Sequence, residues 1–225
     1  MTSSGLIATA VCALSGFVWT GCASSAPTPP TPRSHGAIAS RTTAHALELG
    51  TPAPDFELTD LEGNVHKLSR HRGQIVVLEW FSPACLFTTR SHEQGPLKDQ
   101  ARRAMARGVV WLSVNSTAPR YDGHGVEANA KAKAAWAMPN PILLDPSGDV
   151  GRAYGVTATP QMFVIDPRGT VVYVGAIDND PDIGDPRGDV LENYVDLALA
   201  DLAAGRPVAR PNVPTYGCRV KYDRP

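Results

Sequence analysis

Two short apolar runs constrain this chain more than any other feature. Ile75–Phe81 (IVVLEWF) and Val109–Val114 (VVWLSV) are too short for core helices and rich in β-branched residues. They also lack the alternation of a strand with one wet face. Strands of that kind lie inside a sheet covered on both faces, the arrangement that helical crossovers create. The chain supplies the crossovers. Residues 88–107 are rich in helix formers, with a break expected near Gly95-Pro96 and a stop before Gly108. Val126–Trp136, rich in Ala and Lys, reads as another helix. Ile142–Leu144 is a brief apolar stretch, and Gly148–Tyr154 has room for one or two helical turns.

The flanking segments complete a pattern. Phe56–Thr59 and Val65–Leu68 surround the turn Glu62-Gly63-Asn64 and predict a small hairpin. Gln161–Ile165 and Val171–Val174 are strands joined by Asp166-Pro167-Arg168-Gly169, a strong turn. From Asp189 to Ala204 the apolar residues at 190, 191, 194, 195, 197, 198 and 202 mark one helical face. Asp189 is placed as its N-cap, Gly205 follows its end, and Pro207 lies just beyond. Alternation of β and α followed by a hairpin and a last helix predicts an α/β sandwich around a mixed sheet, over residues 46–205. Residues 206–225 form a Pro-punctuated tail.

Composition narrows the function. With 225 residues, 43% of them apolar, the chain is sized for one ordinary domain with a substantial core. A net charge of −1 lacks the basic excess of a nucleic-acid-binding protein. No apolar run approaches a membrane-spanning length. Four cysteines without a C-x-x-C exclude both a zinc knuckle and a disulfide-stapled mini-domain. The six histidines show neither HExxH nor paired spacing, so no metal and no cofactor are expected. His92 is expected on the solvated side of its helix, and His124, between two glycines, in a loop. Arg90 reads as a surface residue, Trp80 and Phe81 as packing residues, and Asp178 as a loop or site residue.

The N-terminus reads as an address. Leu6–Thr20 has the length of a signal-peptide apolar region and ends in Gly21-Cys22-Ala23. This resembles a bacterial lipoprotein signal, which implies lipid attachment at Cys22, export to the cell envelope or periplasm, and a membrane anchor. A secretory signal cleaved near Ala23 or Ala26, or an uncleaved anchor, remains open. Residues 22–45, rich in Pro, Ser and Thr at their start, read as a flexible tether.

Four segments carry a family resemblance. Val77–Cys85 places a cysteine after a buried strand and before a helix, and resembles the active-site corner of the thioredoxin fold. Val156–Asp166, with Thr159-Pro160, resembles the cis-proline segment of that superfamily. Pro52-Ala53-Pro54-Asp55-Phe56 resembles the opening of redoxin domains. Trp111–Ser116, Gly175–Asp178 and Tyr216–Tyr222 are similar to a peroxiredoxin-like, AhpC/TSA-related group of thioredoxin-family proteins. The resemblance runs over about residues 48–222. It implies a thioredoxin-like three-layer sandwich with a central mixed β-sheet, a nucleophilic Cys85, and a partner edge at Thr159 and Pro160. It also implies a buried proton-accepting acid at Glu79.

Physical chemistry supports these roles. A thiol at a helix N-terminus feels unpaired N–H groups and the positive end of the dipole, which favour thiolate. Glu79 sits inside an apolar run, where burial is expected to raise a carboxyl pKa. Asn115 and Ser116 end a strand at the sheet edge that hosts ligands in open α/β folds, and are candidate site-lining residues. The chain also departs from the family. Thr88 stands where thioredoxins carry their second cysteine and where peroxiredoxins carry their peroxide-reacting one, and Leu86 replaces a usual proline. Cys218, 133 residues from Cys85, is the replacement partner. A Cys85–Cys218 pair reads either as a redox couple or as a static disulfide, with two free thiols as the third possibility. Three functions therefore stay open. One is an exported thiol-disulfide oxidoreductase exchanging electrons with protein thiols or small oxidants. The others are a non-catalytic envelope binding or scaffold protein and an atypical thiol peroxidase.

Overall fold

The computed structural model describes residues 47–182, 184–188 and 190–223. The signal and lipidation expectations at Cys22, the first part of the chain and Asp189 lie outside the described residues.

The two buried runs form the middle of a seven-stranded mixed sheet of order β2-β1-β5-β4-β3-β7-β8. The hairpin β1 (Glu57–Asp60) and β2 (Val65–Lys67) caps one edge. Next come β3 (Val76–Trp80), α1 (Leu86–Glu93), α2 (Leu97–Met105) and β4 (Val110–Asn115), a right-size β-α-β crossover that sets β3 and β4 parallel. The helical stretch divides at Gly95-Pro96 as expected. After α3 (Gly125–Ala135), the Ile142–Leu144 stretch is a true strand, β5, parallel to β4. The short α4 (Asp149–Ala153) and β6 (Ala158–Thr159) lead to β7 (Gln161–Ile165), which runs antiparallel to β3. β8 (Val171–Gly175) closes the far edge. The β4-β3-β7-β8 core, in which β4, β3 and β8 run one way and β7 the other, is the thioredoxin-like arrangement.

Alternation along β3 sorts the two faces. Val77 and Trp111 pack with Leu97, Ala101 and Ala104 of α2 and with Val195, Ala198 and Leu199 on the far helix. Leu78, Trp80, Leu112 and Phe163 pack on the opposite face with Tyr154, Val156 and Phe56. Every residue of β3 and β7 is buried, which accounts for sequences that are apolar apart from Glu79 and Gln161.

The last helix begins later than the sequence suggests. α5 spans Tyr194–Ala203, and its N-cap is Asn193, whose side-chain oxygen accepts from the Asp196 N–H at 2.9 Å. Val190 and Leu191, counted in the expected helical face, are exposed. Asn179 explains the difference. Its side chain donates to the Val190 carbonyl and accepts from the Glu192 N–H, holding 190–192 as a loop.

The tail does not trail away. Residues 211–213 bridge to Val174 at the β8 edge, through Val174 N–H to Pro211 O at 2.9 Å and Val213 N–H to Val174 O at 3.1 Å. The chain then turns back over the carboxyl end of β3. There β9 (Cys218–Arg219) pairs antiparallel with β6, Thr159 opposite Cys218. Val220 enters the core, and the Tyr222 hydroxyl donates to Val156 O at 3.0 Å.

Candidate functional site

Cys85 is the N-cap residue of α1, with extended backbone angles and no side-chain cap. The sheet ends one turn earlier, so the sulfur sits where β3 hands over to the helix. The side chain is 2% exposed. Its S–H donates to the Thr159 carbonyl at 3.1 Å, and the Thr159–Pro160 peptide bond is cis. Cys218 stands beside it as a second free thiol, partly exposed. Ser82, Ser116, Thr117 and Thr159 join the two cysteines around a slot of about 20 Å³, room for one water-sized molecule.

The two sulfurs differ electrostatically. Burial pushes the Cys85 thiol up, but donors aimed at the sulfur outweigh it: the Cys218 thiol, the Thr159 side chain, and the N–H and hydroxyl of Thr88. Cys85 therefore ionises below the ordinary thiol range. The Thr88 hydroxyl is buried without a hydrogen-bond partner, and its proximity favours the sulfur anion. Cys218 moves the opposite way, raised by burial and by the neighbouring Cys85. One thiolate and one thiol in contact is the charge state that nucleophilic exchange needs.

Glu79 lies beneath this corner, fully buried. Its Oε1 is 2.7 Å from His92 Nε2, and its Oε2 accepts from Trp111 Nε1 at 3.0 Å and Ser113 Oγ at 2.8 Å. Burial raises its pKa, yet the facing His92 and these hydrogen bonds outweigh burial and hold the carboxyl below its usual range. The expectation of a raised value is thus corrected. Glu79 is a carboxylate with both oxygens hydrogen-bonded. The expectation of a solvated His92 is corrected too. His92 is 4% exposed and stacks on Trp136 with centroids 4.6 Å apart. A lone carboxylate in a buried strand requires a buried partner, and that requirement was the sequence signal for His92.

The remaining expected residues divide. Ser116 lines the slot, accepts from Trp80 Nε1 at 3.0 Å and donates to Asp145 at 2.6 Å. Asn115 instead organises the following loop through Gly123 O, Asn129 and the Thr117 N–H. Asp178 is buried and accepts from the Tyr216 hydroxyl, two residues before Cys218, so it anchors the tail. His124 bonds to Tyr121 O in its loop, and Arg90 is exposed. Sequence reasoning missed Gly217. A Cβ there would lie 2.1 Å from Thr159 O, so glycine is what lets β9 touch the cis-proline segment.

Residues 49–174 match the AhpC/TSA family. The chain belongs to that family. The thiol-disulfide oxidoreductase ResA of Geobacillus thermodenitrificans is 34% identical over 126 residues, 56% of this chain and 68% of that protein. A hypothetical protein from Sinorhizobium meliloti 1021 has a similar structure, with a TM-score of 0.71 and 26% identity over 80% of this chain and 98% of its own. An uncharacterised conserved protein from Geobacillus kaustophilus follows at 0.69 and 28%, covering 80% and 94%. These relationships make the chain a thioredoxin-fold redoxin-domain protein of the oxidoreductase class. The family match ends before α5 and the tail, so Cys218 lies outside it.

Two outcomes test this electrostatic layout. The ultraviolet thiolate signal lost on Cys85→Ser will titrate below the ~8.5 of an ordinary cysteine, and Thr88→Val will move it upward. An unperturbed titration contradicts the layout. His92→Ala leaves a buried, unpaired carboxylate and will cost about 3–5 kcal/mol in urea unfolding near neutral pH. Since Glu79 ionises more readily in the fold than in the open chain, its contribution is complete above the ordinary value of 4.5 and is lost as pH falls below it.

Proposed function

We propose that the protein is a thiol-disulfide oxidoreductase whose Cys85 is the nucleophile and whose Cys218 is the resolving cysteine. The observation that carries this reading is the pairing of Cys218 with Thr159, beside the sulfur of Cys85. The Cys85 thiolate attacks one sulfur of a partner disulfide and releases the first partner thiolate. Cys218 gives up its proton to solvent and attacks the Cys85 sulfur of the mixed disulfide. The second partner thiolate leaves, and the partner has gained two electrons while Cys85 and Cys218 have become a disulfide. Protein thiols and disulfides are the proposed partners, in keeping with the names of the curated relatives. The raised Cys218 keeps it a thiol until Cys85 has reacted.

The small slot favours a second reading of the acceptor. A cavity of about 20 Å³ admits a peroxide-sized molecule far more readily than a disulfide. In that case the thiolate displaces hydroxide from the peroxide to give a sulfenic acid, and Cys218 condenses with it, releasing water. The same two cysteines serve both acceptors, and Glu79 stays an electrostatic and structural support.

For location we propose an exported protein held at the envelope by lipid on Cys22, supported by Gly21-Cys22 after the apolar stretch and by the tether-like sequence that follows. Fatty-acid labelling that persists in Cys22→Ser contradicts this.

The exchange itself is checked with a low-molecular-weight disulfide and with hydrogen peroxide as separate acceptors. Cys85→Ser will abolish consumption of both. Cys218→Ser will keep the first step and stall with a mixed disulfide or sulfenic acid on Cys85, reducing steady turnover by at least tenfold. Full turnover in Cys218→Ser contradicts the resolving role, and turnover of peroxide alone selects the second reading.

A further inference from the structure

Resting on the thiol-disulfide reading, we propose that a cavity between α1 and the loop after β8 binds the ammonium or guanidinium group of a Lys or Arg side chain on the partner polypeptide. The site would then select partners that carry a basic residue near their reacting disulfide. The cavity holds about 440 Å³, within the range of ligand sites. It is separate from the slot beside Cys85, and the two share no lining residue. It is nevertheless close in the chain to both sulfurs. Phe87 on its wall follows Cys85 by two residues, and Tyr216 precedes Cys218 by two.

The charge on its walls is negative and uncompensated. Asp178 and Asp180 both line the cavity and are 3% and 8% exposed. Asp178 Oδ1 accepts from the Tyr216 hydroxyl and, at 2.9 Å, from the Asp180 N–H. Its Oδ2 has no hydrogen bond among the described residues. Asp180 is held by the N–H groups of Gly184 at 2.6 Å and Asp185 at 3.1 Å, so its carboxylate has a fixed direction. No Lys, Arg or His nitrogen lies within 4.0 Å of either carboxylate among the described residues. Burial, with Asp180 as a second anion, pushes the Asp178 carboxyl up despite the hydrogen bonds that pull it down. Buried anions call for a paired cation. On the α1 side, Ser91 also lines the cavity, is 4% exposed, and has a hydroxyl without a hydrogen-bond partner. An ammonium or guanidinium group carries only donors, and several of them, which suits two carboxylates and an idle hydroxyl.

The rest of the lining suits the stem of such a side chain. The rings of Phe87 and Tyr216 lie 6.0 Å apart beside the carboxylates, and aromatic rings add attraction for a cation. Leu191 stays 51% exposed at the cavity although Asn179 holds its loop in place. Apolar surface is thus left for methylene groups, while the charged head reaches the acids. A neutral or acidic side chain would gain the apolar contact and leave the two carboxylates unpaired.

The test uses the full chain and short peptides in which serine replaces the reactive cysteine, so that binding is read apart from exchange. Calorimetric titration will show that a peptide carrying arginine binds at least tenfold more tightly than the same peptide carrying citrulline, the uncharged isostere. Asp178→Asn, which keeps an acceptor for Tyr216, and Asp180→Asn will each weaken the arginine peptide by at least tenfold and leave the citrulline peptide unchanged. Equal binding of the two peptides overturns the proposal, as do Asn variants that bind the arginine peptide like the parent chain. Agmatine bound as tightly as the peptide assigns the cavity to a free small cation and overturns the partner. With the matching peptide disulfides as acceptors, the ratio of kcat/KM for arginine over citrulline will fall toward one in both variants; an unchanged ratio overturns the proposal. Binding of the arginine peptide without reduction of any peptide disulfide is the failure of the oxidoreductase reading, an outcome distinct from an absent preference for the cation.

Discussion

The seating of residues 217–222 against the Thr159–Pro160 segment is the contact on which the rest of the site depends. It exists because position 217 carries no side chain, and the Thr159 carbonyl takes the space a Cβ would fill. That approach brings Cys218 alongside Cys85, gives the Cys85 sulfur one of its donors, and narrows access to a slot the size of one small molecule. A chain ending after α5 would retain the sheet and the reactive corner, but its cysteine would have no partner and an open edge.

The second constraint is the buried carboxylate under the corner. Glu79 is supplied with His92, Trp111 and Ser113, and Asn140 in turn donates to Ser113 at 2.8 Å. A buried charge persists only when it is paired and hydrogen-bonded. The network ties β3, β4 and α1 together, and so fixes where α1 starts and where Cys85 points. Both of its oxygens are engaged by hydrogen bonds, which hold Glu79 as a carboxylate beneath the corner.

The sheet was legible because its strands are defined by local pattern. The runs at 75–81 and 109–114, the 166–169 turn and the Gly95-Pro96 break each speak through neighbours in sequence. The cysteine corner and the cis-proline segment were legible for the same reason. What depends on distant partners was hidden. His92 looks like an ordinary polar helix residue until Glu79 and Trp136 meet it. The start of α5 is set by Asn179 and Asn193, not by the apolar spacing from 190. The path of the tail is set by Val174, Thr159 and Gly151, none of them near it in sequence. Its many prolines suggested only an extended reach, whereas the docked course follows from backbone pairing at two separate places.

The central claim is that Cys85 and Cys218 act as one two-electron unit. Equilibration of the full chain in graded thiol–disulfide buffers, followed by acid trapping and mapping of each cysteine, measures this directly. The account predicts that both cysteines change state together along a single two-electron curve with about 30 mV per tenfold change in ratio, and that Cys85→Ser or Cys218→Ser abolishes the step. Two cysteines that titrate independently, or that stay thiols throughout, would contradict it.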